Sequence, residues 1–126
     1  MLDVDGGIRS EPLIINYYND YYPSVALILA AKSLNLGLDD IKVTMSSEVQ
    51  LGRLKIRTDK ESQMKTFFYN SDSYDGAFPT DSFFDVLQGK IPLSKYKDKI
   101  VLIGATAFGV GNTMVTPIDP AMAPVL

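Results

Sequence analysis

The pattern of apolar and polar residues in the last quarter of the chain predicts a buried strand. Residues 97–99 are charged, residues 100–103 are Ile-Val-Leu-Ile, and glycines follow at positions 104, 109 and 111. A short β-branched run between charges and glycines is typical of a strand covered on both faces, as in parallel sheets. Open α/β folds bind ligands at the carboxyl edge of such strands, so residues 104–112 form the first candidate site.

Helical spacing is clearest in residues 24–36. Val25, Ile28, Leu29 and Leu36 recur on one face of a predicted helix, and Gly37 stands where a C-terminal cap is expected.

A second, shorter helix is predicted over residues 81–88. Thr80 is its expected N-terminal cap and Gly89 its end.

Alternating or apolar runs predict strands at residues 8–15, 41–45 and 64–69. Residues 49–56 predict two short strands or one bulged strand, because Gly52 shifts the alternation. Residues 17–22 are expected to form a polar, aromatic loop, and residues 59–63 a polar turn.

The order of these elements predicts an α/β fold with a mixed central sheet of about five strands and helices packed on it. Strand 64–69, helix 81–88 and strand 99–104 would form one right-handed β-α-β unit. The length of 126 residues suits a single domain spanning 1–126.

Composition excludes several classes of function. Apolar residues make up 46% of the chain and charged residues 21%, which is typical of a folded domain. The net charge is −3 and the basic residues are scattered, so we expect no nucleic-acid partner. No stretch approaches the roughly 20 apolar residues that cross a bilayer, so any membrane anchor would lie outside this chain.

The chain has no Cys and no His, and therefore no thiol nucleophile, imidazole base or common structural zinc site. Only carboxylates, Lys, Tyr or hydroxyl groups remain for chemistry, and we expect no metal and no cofactor.

The glycine loop only partly matches a phosphate-binding loop. Gly104 and Gly109 have the required spacing, but Val110 and Gly111 stand where that motif needs Lys and Ser or Thr. The glycines are also explained by a sharp exit from the sheet. A nucleotide- or phosphate-binding enzyme that uses residues 104–111 is retained as an alternative.

A calcium loop is a further possibility that the spacing does not favour. Asp72 and Asp75 lie in a loop of small polar residues, but their register differs from that of a calcium loop and the distal Glu is missing. A solvated turn explains this loop better. Asp3, Asp5 and Gly6 likewise predict a turn and not a site.

Four polar side chains near the predicted sheet edge are the candidate ligand-binding residues: Thr106, Asn112, Thr116 and Asp119. Pro117 and Pro120 stiffen the last part of this region, and rigid loops can line a pocket. The other interpretation is an ordinary surface loop.

A cluster of tyrosines precedes the first helix: Tyr17, Tyr18, Tyr21 and Tyr22. Tyrosine combines a large apolar face with a polar tip and is enriched at protein interfaces. These residues could form an interface or simply pack at the start of the helix.

Several segments occur in the order of a known family. They are Phe-Pro-Thr at 78–80, Gly-Lys-Ile-Pro at 89–92, the run 99–106, Thr-Pro-Ile-Asp-Pro at 116–120, Asp-Val-Asp-Gly-Gly at 3–7 and Tyr-Pro-Ser at 22–24. Together they resemble the second class of CHASE domains, the cyclase- and histidine-kinase-associated sensory extracellular modules of bacterial receptors. The chain is expected to be a partial copy, without the family's N-terminal and extreme C-terminal parts.

The resemblance implies a non-catalytic, extracytoplasmic sensory domain, in the periplasm or at the cell surface. Its parent would be a membrane-anchored receptor with adenylate cyclase, histidine or Ser/Thr kinase, or diguanylate cyclase output. The expected partners are an unidentified small-molecule or environmental ligand and a second copy of the receptor. A purely structural dimerisation module is the other alternative.

Overall fold

The computed structural model describes residues 3–69, 78–107 and 110–123, and the chain forms two compact units, Met1–Thr66 and Phe67–Leu126. The strands and α-helices of the described residues are β1 Ser10–Pro12, β2 Ile14–Tyr17, β3 Asp20–Pro23, α1 Val25–Ser33, β4 Ile41–Thr44, β5 Glu48–Leu51, β6 Leu54–Arg57, β7 Gln63–Lys65 and α2 Phe83–Leu87. Two 3₁₀ turns cover Leu38–Asp40 and Leu93–Tyr96.

The largest sheet is antiparallel and has the order β4-β5-β6. Opposite residues such as Val43, Val49 and Ile56 share one face, which makes that face apolar. Charged and other polar residues occupy the other face. The sheet confirms the strand predicted at residues 41–45 and the two short strands predicted within residues 49–56.

Gly52 makes the tight connection between β5 and β6. Its φ of +58° is costly for a residue with a side chain, and an added Cβ would lie 2.9 Å from a methyl carbon of Leu36. A side chain at this position would therefore disturb both the turn and the packing beneath it.

The core of the first unit forms on the apolar face of this sheet. Its central members are Leu27 and Ala31 of α1 and Val49 and Leu51 of β5, each at most 2% exposed. Leu13, at the junction of β1 and β2, joins the same cluster. Val49 and Leu51 are buried because β5 is the central strand and its apolar face belongs to the same cluster as residues of α1.

Helix α1 confirms the predicted helix but ends earlier than expected. Ser24 caps its N-terminus by accepting a hydrogen bond from the Leu27 amide at 3.2 Å. At the other end Asn35 takes a φ of +56°, and the Leu36 amide donates to the Ala31 carbonyl at 2.9 Å. The prediction of Gly37 as the cap was wrong, because Asn35 tolerates the left-handed conformation and reverses the chain two residues sooner.

The segment predicted as an aromatic loop is instead half of a hairpin. Strands β2 and β3 pair antiparallel, with Ile15 opposite Tyr22 and Asn16 opposite Tyr21. Tyrosine favours strands because its ring packs on a pleated surface, which outweighed the polar residues around it. The strand predicted at residues 8–15 is divided into β1, which pairs with β7, and β2.

Helix α2 lies within the predicted span 81–88, and its C-terminal signal is confirmed. Gly89 has a φ of +71°, and its amide donates to the Val86 carbonyl at 3.0 Å. The prediction of Thr80 as the N-cap was wrong. Ser82 caps the helix instead, accepting from the Asp85 amide at 3.4 Å.

The buried strand predicted at residues 100–103 is not formed. These four side chains are 48–75% exposed, and none of the described strands pairs with them. The β-α-β unit and the single sheet of five strands are therefore not confirmed, and the described sheets are small and antiparallel. Apolar residues in a row favour a strand, but burial on both faces also needs neighbouring strands, which a local pattern does not specify.

The first prediction concerns the core of the first unit. Leu27→Ala should lower the free energy of unfolding by about 2–5 kcal/mol, because the lost side chain leaves a cavity. Denaturant unfolding of the wild-type and variant chains measures the difference. Val25→Ala is the matched control, since Val25 lies on the same helix and is 72% exposed. An equal loss in both variants would show that Leu27 does not lie in the core.

Candidate functional site

A groove in the first unit is an apolar concave surface built from described residues. Its cavity has a volume of about 320 Å³. We call it the apolar groove. Its lining residues are Ile14, Tyr21, Pro23, Leu38, Ile41, Val43 and Met45.

The strand pattern explains how the groove forms. On β4 and just after it, Ile41, Val43 and Met45 alternate along the chain and so share the apolar face of the large sheet. On the hairpin, Ile14 lies opposite Pro23. Tyr21 is two residues from Pro23 and shares its face.

Part of this apolar surface is open to solvent. Ile14 is buried in the core cluster and Ile41 packs against it, whereas Val43 and Met45 are 41% and 49% exposed. The apolar groove is thus an uncovered extension of the core. It offers mainly apolar contacts, which suits the binding of an apolar molecule.

A second cluster orders the Asp-Gly turn. One guanidinium nitrogen of Arg9 lies 2.7 Å from Asp3 Oδ2 and 2.8 Å from Asp5 Oδ1, and the other lies 2.7 Å from Asp5 Oδ2. Asp5 Oδ1 also accepts from the Gly7 amide at 3.0 Å. The turn predicted from residues 3–6 is confirmed, and Arg9 was the partner that the sequence pattern did not indicate.

Hydrogen bonds shift the ionisation of this cluster. The Arg9 guanidinium, aided by the Gly7 amide, lowers the pKa of Asp5 from 3.8 to about 2. The two carboxylates in turn raise the pKa of Arg9. Asp5 and Arg9 therefore remain charged at neutral pH, and this cluster acts as a structural clamp.

Two of the four candidate ligand residues from the sequence lie together. Thr116 Oγ1 donates to the Asp119 carbonyl at 3.0 Å and accepts from the Asp119 amide at 3.1 Å. An antiparallel bridge between Met114 and Met122 closes the segment just outside them. The Asp119 carboxylate accepts from the Ala121 amide at 2.8 Å, so both polar groups are used to hold this turn.

The other two candidates are less constrained. Thr106 and Asn112 are exposed. No hydrogen bond joins either one to Thr116 or Asp119 within the described parts of the chain. Phe108 and Gly109 of the glycine loop lie outside the described residues, as do Asp72 and Asp75 of the calcium-like loop.

Comparison with known families gives one match. The family model of the CHASE2 domain matches residues 1–126. The chain belongs to the CHASE2 family. CHASE2 domains are extracellular sensory domains of signalling receptors. Searches of curated proteins and of solved structures returned no match.

In this CHASE2 domain the four tyrosines lie on the β2–β3 hairpin and are each 50–83% exposed. Tyr21 lines the apolar groove, while Tyr17 and Tyr22 lie on the opposite face of the hairpin. Tyr18 occupies the turn with a φ of +56° and packs edge-on against Tyr17.

A third polar cluster organises the second unit of the CHASE2 domain. Lys95 Nζ lies 2.7 Å from Asp81 Oδ1, and the Tyr96 hydroxyl donates to Asp81 Oδ2 at 2.9 Å. Lys95 and then Tyr96 lower the pKa of Asp81. Desolvation and Asp81 together raise the pKa of Tyr96. Asp81 therefore joins the start of α2 to the 3₁₀ turn that follows it.

Neither a metal site nor a membrane span is found in the described part of the CHASE2 domain. Its residues include no group of three acidic side chains that could hold a metal ion. The longer described α-helix has nine residues, too few to cross a bilayer.

The second prediction concerns the Arg9 clamp. Arg9→Gln should raise the pKa of Asp5 from about 2 towards 3.8, because the carboxylate loses its charged donor. In the wild type, Asp5 contributes stability that is present above pH 3.8 and is lost as the pH falls through about 2. NMR titration of the side-chain carboxyl carbons measures the shift.

Arg53→Gln provides the control for this titration, since Arg53 is an exposed arginine on the β5–β6 turn. It should leave the pKa of Asp5 unchanged. An unchanged pKa in Arg9→Gln as well would contradict the clamp.

Proposed function

We propose that this CHASE2 domain is the non-catalytic, extracytoplasmic input domain of a bacterial transmembrane receptor, and that it responds to a ligand. The observation that carries the proposal is the family match over residues 1–126. The presence of an open apolar groove in the first unit supports a ligand-binding role.

The mechanism we propose is a shift between two conformations of the domain. A ligand can change their populations only by as much as its affinities for the two differ. The groove is lined by a hairpin and by an edge strand, β4. A ligand that contacts both would favour the conformation in which they are closest.

The ionisable groups support a non-catalytic role. A general base works best when its pKa is near the operating pH, yet the pKa values of Asp5 and Asp81 are lowered. Both carboxylates are also held by cationic partners. The nucleotide-binding alternative gains no support, because residues 100–103 form no strand to present the glycine loop.

The parent receptor, in this proposal, is anchored in the cell membrane and works as a homodimer. Its output would be an adenylate cyclase, a histidine or Ser/Thr kinase, or a diguanylate cyclase. The exposed tyrosine hairpin supports a contact between copies. Thr106, Asn112, Thr116 and Asp119 stay as the alternative candidates for ligand contact, and Thr106 and Asn112 are the more accessible pair.

The third prediction tests ligand input in the receptor. A library of small metabolites is screened by thermal shift on this chain, and each compound that binds is then added to the full receptor. A binder present at 100 times its Kd should add about 2.7 kcal/mol of stability. The same compound should change the receptor's output and be recovered chemically unchanged.

Conversion of the compound by this chain alone would contradict the non-catalytic role. Binding without any change in receptor output, or no binder combined with a receptor that ignores the whole library, would favour a structural dimerisation module instead.

A further inference from the structure

We propose that the apolar groove is the ligand site and that it takes a neutral, largely apolar small molecule of about one or two rings. The inference rests on the proposed sensory function and adds to it the place of binding and the chemical class of the ligand. It differs from the site expected from the sequence, which lay in residues 104–119.

The volume of the groove sets the size of the ligand. Ligand pockets usually enclose about 300–1,000 Å³, and an apolar cavity of about 150 Å³ is enough for benzene. The apolar groove, at about 320 Å³, lies at the small end of this range. It has room for one ring with a short substituent, or for two rings.

The lining sets the charge of the ligand. None of the described residues that line the groove is charged, and Tyr21 supplies the one hydroxyl. An ion entering such a site would lose water without gaining a charged partner, which disfavours its binding. A neutral molecule loses much less favourable hydration on entry, and burial of its apolar surface favours binding.

The extent of the groove favours a small molecule over a protein partner. A stable protein interface uses roughly 20–30 residues on each side, whereas seven described residues line this groove. Met45 also gives one wall an adaptable side chain, which helps a small site fit differently shaped molecules.

The fourth prediction uses three probes of similar shape and different charge: benzyl alcohol, benzylammonium and benzoate. Benzyl alcohol should bind the chain saturably, with NMR shifts at the amides of β3 and β4. The two ions should bind at least about tenfold more weakly, because the groove offers them no counter-charge.

Val43→Glu should reduce the affinity for benzyl alcohol by at least about tenfold, since it places a charge in the groove. Leu54→Glu is the matched control. Leu54 lies on the apolar face of the same sheet and is 54% exposed, but it does not line the groove. This variant should bind benzyl alcohol with nearly wild-type affinity. Retained amide dispersion in both spectra shows that each variant folds.

The groove proposal is overturned if benzyl alcohol does not saturate, if the ions bind equally well, or if Val43→Glu and Leu54→Glu behave alike. It is also overturned if Val43→Glu changes only self-association of the chain. A polar metabolite that binds elsewhere and changes receptor output would remove the groove proposal and keep the sensory function. If benzyl alcohol binds in the groove but no ligand changes the output of the receptor, the groove is kept as a binding site and the sensory function is removed.

Discussion

The first unit depends on the burial of one sheet face in a single apolar cluster. Val49 and Leu51 of the central strand join Leu27 and Ala31 of α1 in that cluster. Each apolar side chain fully removed from water contributes about 1.5–3 kcal/mol, so a few contacts decide whether this unit folds. The apolar groove follows from the same constraint, because Val43 and Met45 continue the apolar face into solvent.

The second unit is organised by different interactions. Among its described residues no side chain is buried, and polar contacts between nearby residues shape the chain. Asp81 joins α2 to the following 3₁₀ turn, and Thr116 closes a turn with Asp119. The hydrogen bonds from Tyr96 to Asp81 and from Thr116 to Asp119 are only partly buried, and such contacts are individually weak. The difference explains why the apolar groove is found in the first unit.

Local signals in the sequence predicted local structure well. The spacing of Val25, Ile28 and Leu29 indicated α1, although the helix buries another face, that of Leu27 and Ala31. The alternation around Gly52 indicated β5 and β6, and Gly89 indicated the end of α2. The wrong predictions concern residues whose structure depends on strands that pair with them. Tyr21 and Tyr22 form a strand because Asn16 and Ile15 lie opposite them, whereas none of the described strands pairs with residues 100–103. Likewise, the candidate site was inferred from a loop near a presumed sheet edge. The apolar groove needs residues from β2, β3 and β4 together, and that combination appears only once the hairpin is known.

The central claim is that the stable core lies in α1 and the β4–β6 sheet, and that residues 100–103 lie outside any sheet. Amide hydrogen exchange along the whole chain measures this directly, because protection follows the free energy of opening. The account predicts the strongest protection in α1 and β5 and rapid exchange at residues 100–103. Protection of residues 100–103 equal to that of β5 would contradict it.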